Sequence, residues 1–239
     1  MIEDGVMEGV DEVYGVHVFP ALPKGDYNIS TRYSSSFSDK FKIEVKGKAG
    51  HASAPHLALD PVPIAANLVI AAQTIVSRNL NPQEKAVITI PFIHGGEAFN
   101  AIPNNVELQG VVRSFEPPVK QLIEKRLKEI CDGMGATYGC CVNLDYTSCV
   151  YPIKNSSPCI EHALKAYERV SGGTSHNFEP FIGEDFACFA ALKPGCFVLM
   201  GCGSPGNTAD LHSPTFSLDE DSLVIGASWW VRLAEMRLK

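Results

Sequence analysis

The chain has 239 residues, of which 45% are hydrophobic and 20% are charged, and its formal net charge is −7. These values are ordinary for a soluble globular protein of one large domain or two smaller ones. The negative charge gives no support to binding of nucleic acid or of an anionic membrane, and no apolar run is long enough to cross a bilayer. The first residues are acidic and lack the basic and apolar regions of a signal peptide. We therefore expect a cytoplasmic protein with no nucleic-acid or membrane partner.

The start of the chain predicts part of an α/β sheet. Residues 1–10 resemble the end of a short helix, residues 11–20 predict a buried strand, and residues 25–34 predict a second, more polar strand. His17 lies near the carboxyl end of the first strand, where ligands gather in α/β sheets. A histidine among valines is also common as a hydrogen-bonded core residue. The strand by itself leaves both interpretations of His17 open.

Residues 37–150 carry a complete domain plan. Strands are predicted at residues 41–46, 86–93, 106–112 and 140–150, with helices at residues 60–78 and from residue 117 to Gly133 and Gly135. Asp60 is a typical N-cap, and Pro61 fits the first helical position. The order strand, helix, strand, strand, helix, strand is that of the ferredoxin-like fold. We expect a four-stranded sheet with two helices on one face.

The stretch from Gly47 to His56 connects a predicted strand to a predicted helix. Its glycines allow a tight turn or a close approach to a ligand, and His51 directly follows Gly50. A histidine on such a turn is well suited to hold a proton or to stabilise an oxyanion. The alternative is an ordinary loop with two solvated histidines.

The last part of the chain predicts three helices and one buried strand. The helices are expected at residues 157–170, 183–192 and 220–238, and the strand at residues 196–200. A glycine-rich loop at residues 201–206 follows this strand, but it lacks the spacing of a nucleotide-binding loop.

Eight cysteines invite a disulfide interpretation, but their placement argues against one. All lie in the second half of the chain, several fall in apolar strand-like runs, and none forms a Cys-x-x-Cys pair. We expect buried free thiols in a reducing compartment rather than a disulfide framework or a zinc ribbon.

Five motifs occur in an order that matches a known family. They are Tyr-Gly-Val-His-Val-Phe-Pro from residue 14, Gly-His-Ala-Ser-Ala-Pro-His from residue 50, Gly-Gly-Glu-Ala-Phe-Asn-Ala-Ile-Pro-Asn from residue 95, Gly-Glu-Asp-Phe from residue 183 and Leu-His-Ser-Pro from residue 211. Together they resemble the zinc-dependent aminoacylase and carboxypeptidase superfamily of metallopeptidases. The closest branch is that of the N-acyl-amino-acid amidohydrolases, which includes indole-acetyl–amino acid hydrolases and hippurate hydrolases. No single motif is specific, but the five occur in the correct order and the match spans nearly the whole chain.

This resemblance implies an α/β fold in which a zinc-exopeptidase-like catalytic domain carries an inserted ferredoxin-like (βαββαβ) domain. Residues 1–36 and 151–239 would belong to the catalytic domain, and residues 37–150 would form the inserted domain, which serves dimerisation and acts as a lid. The implied activity is metal-dependent hydrolysis of an amide bond. The implied partners are a small N-acyl amino acid or amino acid conjugate and, through the lid domain, a second copy of the chain.

By the same resemblance, His17 and His212 are ligands of a divalent metal, zinc or manganese. Histidine nitrogens suit both ions, and catalytic sites of this kind leave room for a water. His51 matches the lid histidine that reaches across the dimer to the substrate carbonyl oxygen, where it would stabilise the oxyanion of a tetrahedral intermediate.

The resemblance also implies residues that contact the substrate. Asn100 and Arg113 match lid residues of this kind, and Arg113 would bind the free carboxylate through its two-pronged guanidinium. Glu184 would orient a metal-ligating histidine or line the pocket, and the loop containing Gly201 and Gly203 would pass close to the acyl group. Each has a plainer alternative. Arg113 would be a surface strand residue, Asn100 a turn former, and Glu184 a charge that complements a helix N-terminus, while the glycine-rich loop would be an ordinary loop.

The chain also departs from the family pattern. Full-length relatives start well upstream and contribute a Cys-Gly-His-Asp run and a Glu-Glu pair that supply further metal ligands and the general base. This sequence has neither a Cys-x-His nor an adjacent Glu-Glu. Two histidines cannot complete a catalytic zinc site, which normally has three protein ligands. We therefore expect a chain that lacks the N-terminal third and is inactive alone. The alternative is a non-catalytic dimerising fragment or pseudoenzyme.

Overall fold

The computed structural model describes residues 1–204, 206 and 209–238. The chain divides into two compact units. We call residues 1–36 with 151–239 the split unit and residues 37–150 the inserted unit. None of the described helices combines the length and the hydropathy that a membrane-spanning helix needs.

The regular elements follow one another in chain order as β1 (Val13–Pro23), β2 (Tyr27–Asn28), β3 (Phe37–Lys46), β4 (Gly50–His51), α1 (Pro61–Thr74), β5 (Ala86–His94), β6 (Ala101–Ile102), β7 (Asn105–Ser114), α2 (Pro117–Tyr138), β8 (Cys141–Val150), α3 (Ser157–Glu168), β9 (Ser175–His176), α4 (Ala187–Ala190), β10 (Gly195–Gly203) and α5 (Asp221–Arg237). A 3₁₀ turn occupies Pro55–Leu57, and a π-helical turn at Ile75–Asn79 extends α1.

The inserted unit has the predicted ferredoxin-like order. Its main sheet is β5-β7-β3-β8, and every neighbouring pair in it is antiparallel. Along β3, buried Phe41, Ile43 and Val45 alternate with more exposed charged residues. These three side chains share one core with residues of α1 and α2, so both helices cover the same face. The short strands β4 and β6 form a separate pair.

The helices of the inserted unit begin as predicted, but one of them ends later. The Val62 N–H donates to Asp60 Oδ1 at 3.0 Å, which caps α1 with Pro61 at its first position. The predicted end of α2 at Gly133 and Gly135 is wrong. The helix continues through both glycines to Tyr138, and Gly139 ends it in the left-handed conformation, with φ 66°. An interior glycine costs about 1 kcal/mol, which the packing of the last turns against the core offsets.

The split unit contains a four-stranded mixed sheet of order β1-β10-β2-β9, in which β2 and β9 are only two residues long. β10 pairs in parallel with β1 and antiparallel with β2, and all but the last of its residues are buried. α3 and α5 pack on one side of this strand around Tyr167 and Trp229, while Ile153 and Ala187 belong to a smaller core with Phe197. Burial on both faces explains why β10 is a continuous apolar run in the sequence.

A buried asparagine joins the two segments of the split unit. The Asn155 side-chain amide donates to the Ser30 carbonyl at 3.1 Å, to Ser34 Oγ at 2.7 Å and to the Phe197 carbonyl at 3.2 Å. Its oxygen accepts the Phe197 N–H at 2.8 Å. The segment before the inserted unit is therefore hydrogen-bonded to the segment after it.

Four predicted elements of the split unit differ from the structure in length, position or burial. Residues 2–9 form turns instead of a helix end, with Gly5 and Gly9 at positive φ. The first strand extends to Pro23 and is only half-buried, because it lies at the edge of the sheet. The strand expected at residues 25–34 is limited to Tyr27–Asn28. The helix expected at residues 183–192 is limited to Ala187–Ala190.

All eight cysteines are free thiols. Four of them are buried, namely Cys131, Cys159, Cys196 and Cys202, and burial raises the pKa of the Cys131 thiol to about 11. The expectation of burial does not hold for Cys141, Cys149 and Cys188, which are exposed. The first two lie on β8, an edge strand with one solvent-facing side.

Candidate active site

His17 lies on β1 opposite Leu199 of β10 and is half-buried. Its Nδ1 is 2.6 Å from the Val18 carbonyl oxygen. A carbonyl can only accept a hydrogen bond, so Nδ1 carries the proton and Nε2 keeps its lone pair. This arrangement is the one found in metal-ligating histidines, which donate their other ring nitrogen to a carbonyl or carboxylate.

Glu184 lies within electrostatic range of His17. Burial raises the pKa of the Glu184 carboxyl, and a hydrogen bond with Asp185 raises it further. The Phe186 N–H, which donates to Oε1 at 3.4 Å, lowers that pKa, as does the positive charge of the His17 ring when it is protonated. The structure thus brings Glu184 and His17 into one neighbourhood of the split unit.

His212 is exposed and has an unusual backbone. Its φ of 64° makes it the one non-glycine residue in the left-handed region among the residues that the structure describes. This conformation costs on the order of 1 kcal/mol and is most frequent at functional sites and turns.

The metal-ligand chemistry is incomplete. His17 offers a free ring nitrogen of the type that zinc or manganese binds, so its chemistry fits one ligand position. Within residues 1–204, 206 and 209–238, however, no three His, Cys, Asp or Glu side chains are arranged to hold a metal ion. The described residues therefore supply single donors and not a complete three-ligand site.

His51 has the opposite hydrogen-bond arrangement from His17. It is exposed on β4, and its Nδ1 accepts the Ser53 N–H at 3.2 Å. The Ser53 Oγ lies 2.8 Å from the same nitrogen. Since a backbone N–H can only donate, the neutral ring carries its proton on Nε2. Such a ring is ready to donate to an oxyanion.

The structure brings Asn100 and His51 together. β4 pairs with β6 so that His51 lies opposite Ala101, and the Ala52 N–H donates to the Asn100 carbonyl at 3.0 Å. The side chain of Asn100 is exposed beside this pair of short strands. The two motifs that carry these residues therefore form one local surface of the inserted unit.

Arg113 lies far from His51 and Asn100 within the same unit. On β7 it is opposite Ser38, at the start of β3, whereas Lys46 at the other end of β3 pairs with Asn105. Eight residues of strand separate Asn105 from Arg113, which corresponds to about 27 Å. The guanidinium is half-buried, which lowers the pKa of Arg113, and its Nη1 has no hydrogen-bond partner in the structure.

Gly201 and Gly203 are strand residues and not loop residues. Both belong to β10, which continues three residues beyond the predicted end at residue 200. A Cβ atom at Gly201 would lie 2.0 Å from the Pro23 carbonyl oxygen, and one at Gly203 would lie 2.4 Å from that of Pro20. The glycines thus permit close backbone approach inside the sheet. The predicted loop also includes Pro205, which lies outside the described residues.

Sequence reasoning missed two polar residues that shape the His51 surface. Ser53 contacts the ring of His51, and Asn104 Oδ1 accepts the Ala49 N–H at 3.1 Å. The signal was available in part, because Ser and Asn in glycine-rich turns commonly bond to groups two residues away.

A family model described as "Peptidase family M20/M25/M40" matches residues 1–236. The chain belongs to this family. The match confirms the predicted resemblance, and the two α/β units agree with the predicted fold class.

Individual curated relatives are also similar to the chain over nearly its whole length. The chain is 31% identical over 239 residues to an N-acetylcysteine deacetylase of Bacillus subtilis (strain 168), and the match covers 100% of this chain and 62% of the relative. It is 35% identical over 231 residues to thermostable carboxypeptidase 2 of Saccharolobus solfataricus, with 95% of this chain and 58% of the relative covered. The chain thus spans about three fifths of the length of these curated relatives.

A solved structure of the family is also similar. The YXEP protein of Bacillus subtilis, described as a dinuclear metal binding peptidase from the M20 family, shares 28% identity and a TM-score of 0.76 with the chain. The match covers 98% of this chain and 59% of that one. This likeness supports the use of divalent metal in the family to which the chain belongs.

Proposed function

We propose that the chain acts in a metal-dependent amidohydrolase, with zinc or manganese as the metal, that cleaves the amide bond of a small N-acyl or conjugated amino acid. The observation that carries the proposal is the hydrogen bond from His17 Nδ1 to the Val18 carbonyl, which leaves the lone pair of Nε2 free to bind a metal ion. The chain that carries this histidine belongs to peptidase family M20/M25/M40. The deacetylase and carboxypeptidase names of the relatives support this class of substrate.

Within this proposal, His17 and His212 hold the metal together with donors beyond the described residues. The bound metal would supply Lewis acidity at the amide carbonyl. Glu184 restrains the position of His17 through its neighbouring charge. Gly201 and Gly203 allow the end of β10 to pack closely against the backbone of Pro20 and Pro23, and the acyl group would lie close to this end of the strand.

The inserted unit acts as the lid. His51 donates its Nε2–H to the oxyanion that forms as the amide carbonyl is attacked, and this donation counts chiefly in the transition state. Asn100, on the same surface, orients the substrate amide. Arg113 binds the free carboxylate of the amino acid through two parallel hydrogen bonds.

The separation along β7 supports a dimeric site. One amino acid conjugate is far shorter than the strand length of about 27 Å between Asn105 and Arg113. Since β4 pairs with β6, just before Asn105 in the chain, we infer that His51 and Arg113 of one subunit lie too far apart to contact the same substrate. We assign His51 to the site of the partner subunit in a homodimer.

Exposed apolar residues supply a surface for such a dimer. Ile70 on α1 is 68% exposed, and Ile93 on the edge strand β5 is 56% exposed. An edge strand with an apolar neighbour is suited to pair with another copy of itself.

A second candidate function is that of a non-catalytic dimerising chain. It is favoured by one observation, the lack of a three-donor group among the described residues. In this case the inserted unit would pair with a partner while no hydrolysis takes place.

Metal content and hydrolysis distinguish the two candidates. Elemental analysis after dialysis should find little zinc or manganese in this chain, because two histidines bind metal weakly. In a chimaera with the part of the Bacillus subtilis relative that the chain does not span, we expect retained metal and hydrolysis of an N-acetyl amino acid. His17→Ala and His212→Ala should each abolish both, whereas the exposed His94→Ala should abolish neither.

Retained metal without hydrolysis in the chimaera would favour the non-catalytic candidate. One tightly held zinc or manganese per chain in the unmodified protein would contradict the incomplete site.

A further inference from the structure

Ser53 contacts His51 through two different groups. Its backbone N–H donates to His51 Nδ1 at 3.2 Å, and its Oγ lies 2.8 Å from the same nitrogen. Because Nδ1 accepts the backbone N–H, the hydroxyl must also approach this nitrogen as a donor. One lone pair of the ring is therefore held by two donors from a single residue.

The backbone around this pair is fixed on both sides. Gly50 and His51 pair with Ile102 and Ala101 in the β4–β6 ladder. Directly after Ser53, the Ala54 N–H donates to the His51 carbonyl at 2.9 Å, which closes a tight turn. Ser53 thus lies inside a turn whose ends are both hydrogen-bonded, and its two donors remain directed at the ring.

We propose that Ser53 is a positioning residue, which holds His51 in the tautomer with its proton on Nε2 and restrains the direction of that N–H. The inference rests on the proposed function of His51 as the oxyanion donor. A ring with the proton on Nδ1 would turn a lone pair toward the oxyanion, and two acceptors would then face each other.

The side chain of residue 53 therefore shifts the tautomer balance, to which the backbone N–H also contributes. Alanine keeps the backbone donor and removes the hydroxyl donor, while threonine keeps both. Aspartate places a carboxylate, which can only accept, beside Nδ1 and so favours a proton there. These three substitutions separate the hydrogen-bond effect from a change in side-chain size.

The test is the imidazole ¹⁵N spectrum of the full chain at pH 8, where an ordinary imidazole is neutral. In the unmodified chain we expect the Nε2–H form of His51 to dominate. Ser53→Ala should lower the ratio of Nε2–H to Nδ1–H about fivefold, the equivalent of one neutral hydrogen bond of about 1 kcal/mol. Ser53→Thr should restore the ratio, and Ser53→Asp should reverse it. Ser77→Ala, whose Oγ donates to the Gln73 carbonyl on α1, is the matched control and should leave it unchanged.

An unchanged ratio in both Ser53→Ala and Ser53→Asp, in chains whose amide spectra show the native fold, would overturn the proposal. The measurement needs no activity, so it separates the two levels of the argument. If the tautomer responds but His51→Ala leaves hydrolysis in the chimaera intact, the proposed function fails while the role of Ser53 stands.

Discussion

His17 in the split unit and His51 in the inserted unit are the same side chain in opposite hydrogen-bond arrangements. The Nδ1 of His17 faces the carbonyl of the next residue, so its Nε2 has a lone pair. The Nδ1 of His51 faces the N–H of the residue two positions on, so its Nε2 has a proton. The backbone group opposite Nδ1 therefore decides whether a histidine accepts or donates at its far side.

The two units also differ in how they are held together. The inserted unit is one continuous segment with a single core, and all pairs of its sheet lie within it. The split unit depends on long-range contacts between two segments, among them the pairing of β1 with β10 and the bonds of Asn155 to Ser30 and Ser34. The difference predicts that the units respond differently to substitution, truncation and acid.

The largest effect is expected at His51 in the active chimaera. His51→Ala should lower kcat on the order of a hundredfold or more and leave the bound metal unchanged, because an oxyanion donor acts chiefly in the transition state. His17→Ala should instead lose metal and activity together. Steady-state kinetics combined with elemental analysis distinguishes the two patterns. Equal loss of metal in both variants would contradict the assignment of metal binding to His17 and not to His51.

A mixed dimer sharpens this result. It pairs one chimaera chain carrying His51→Ala with one carrying His17→Ala. If His51 serves the site of the partner subunit, the chain with intact metal ligands receives an intact lid histidine and the mixed dimer is active. An inactive mixed dimer, with both chains folded and paired, would rule out the cross-subunit role.

The next effect concerns the independence of the inserted unit. Residues 37–150 expressed alone should fold, because every strand pair of their sheet lies inside the segment. Amide exchange should show protection along β3 and β7. In this segment Ile123→Ala, at a fully buried site, should cost about 3 kcal/mol of unfolding free energy, whereas Lys125→Ala, at an exposed site on the same helix, should cost well under 1 kcal/mol. A segment without protected amides would contradict the prediction.

The smallest effect is the response of the split unit to acid. Arg237 donates to both oxygens of Glu12 at 2.9 Å, and this pairing is the main reason why the pKa of the Glu12 carboxyl lies below its ordinary value of 4.5, against the opposing effect of burial. A carboxyl whose pKa is lower in the folded state than in the unfolded state stabilises the fold fully at a pH above the unfolded-state pKa. This contribution is lost as the pH falls through the folded-state pKa.

Unfolding curves of Glu12→Gln measure this contribution. The variant should be less stable than the unmodified chain at pH 7, and the difference should shrink as the pH falls below 4.5 and vanish below the depressed pKa of Glu12. Glu235→Gln breaks another carboxylate–arginine pair on α5 and serves as the control for a general loss of surface charge. A difference that persists at low pH would assign the loss to packing instead.

The sequence predicted the inserted unit better than the split unit, for physical reasons. Alternation along β3 and the cap at Asp60 are local signals, and both appear in the structure. The end of α2 depends on packing that outweighs the cost of Gly133 and Gly135, so local propensity placed it too early. Around β2, the Asn28 side chain bonds to the backbone of Phe178, a partner 150 residues away that local sequence patterns do not reveal.

The candidate site divides in the same way. The motifs around His51 and Asn100 were found separately, and only the β4–β6 pairing brings them together. The distance from these residues to Arg113 follows from strand register, which the sequence pattern does not fix. The effect of Ser53 on His51 requires knowledge of where a ring nitrogen lies, which side-chain types alone do not provide. The roles of all these residues stay predictions until the kinetics are measured.

The left-handed backbone of His212 has a practical consequence for protein engineering. Glycine adopts this conformation freely, so His212→Gly relieves a cost on the order of 1 kcal/mol. A laboratory selection for thermal resistance alone will therefore favour the glycine and discard a candidate metal ligand in the same step. If His212 binds the metal as we propose, histidine at this position exchanges some stability for metal binding, and libraries designed for thermal stability should leave residue 212 fixed.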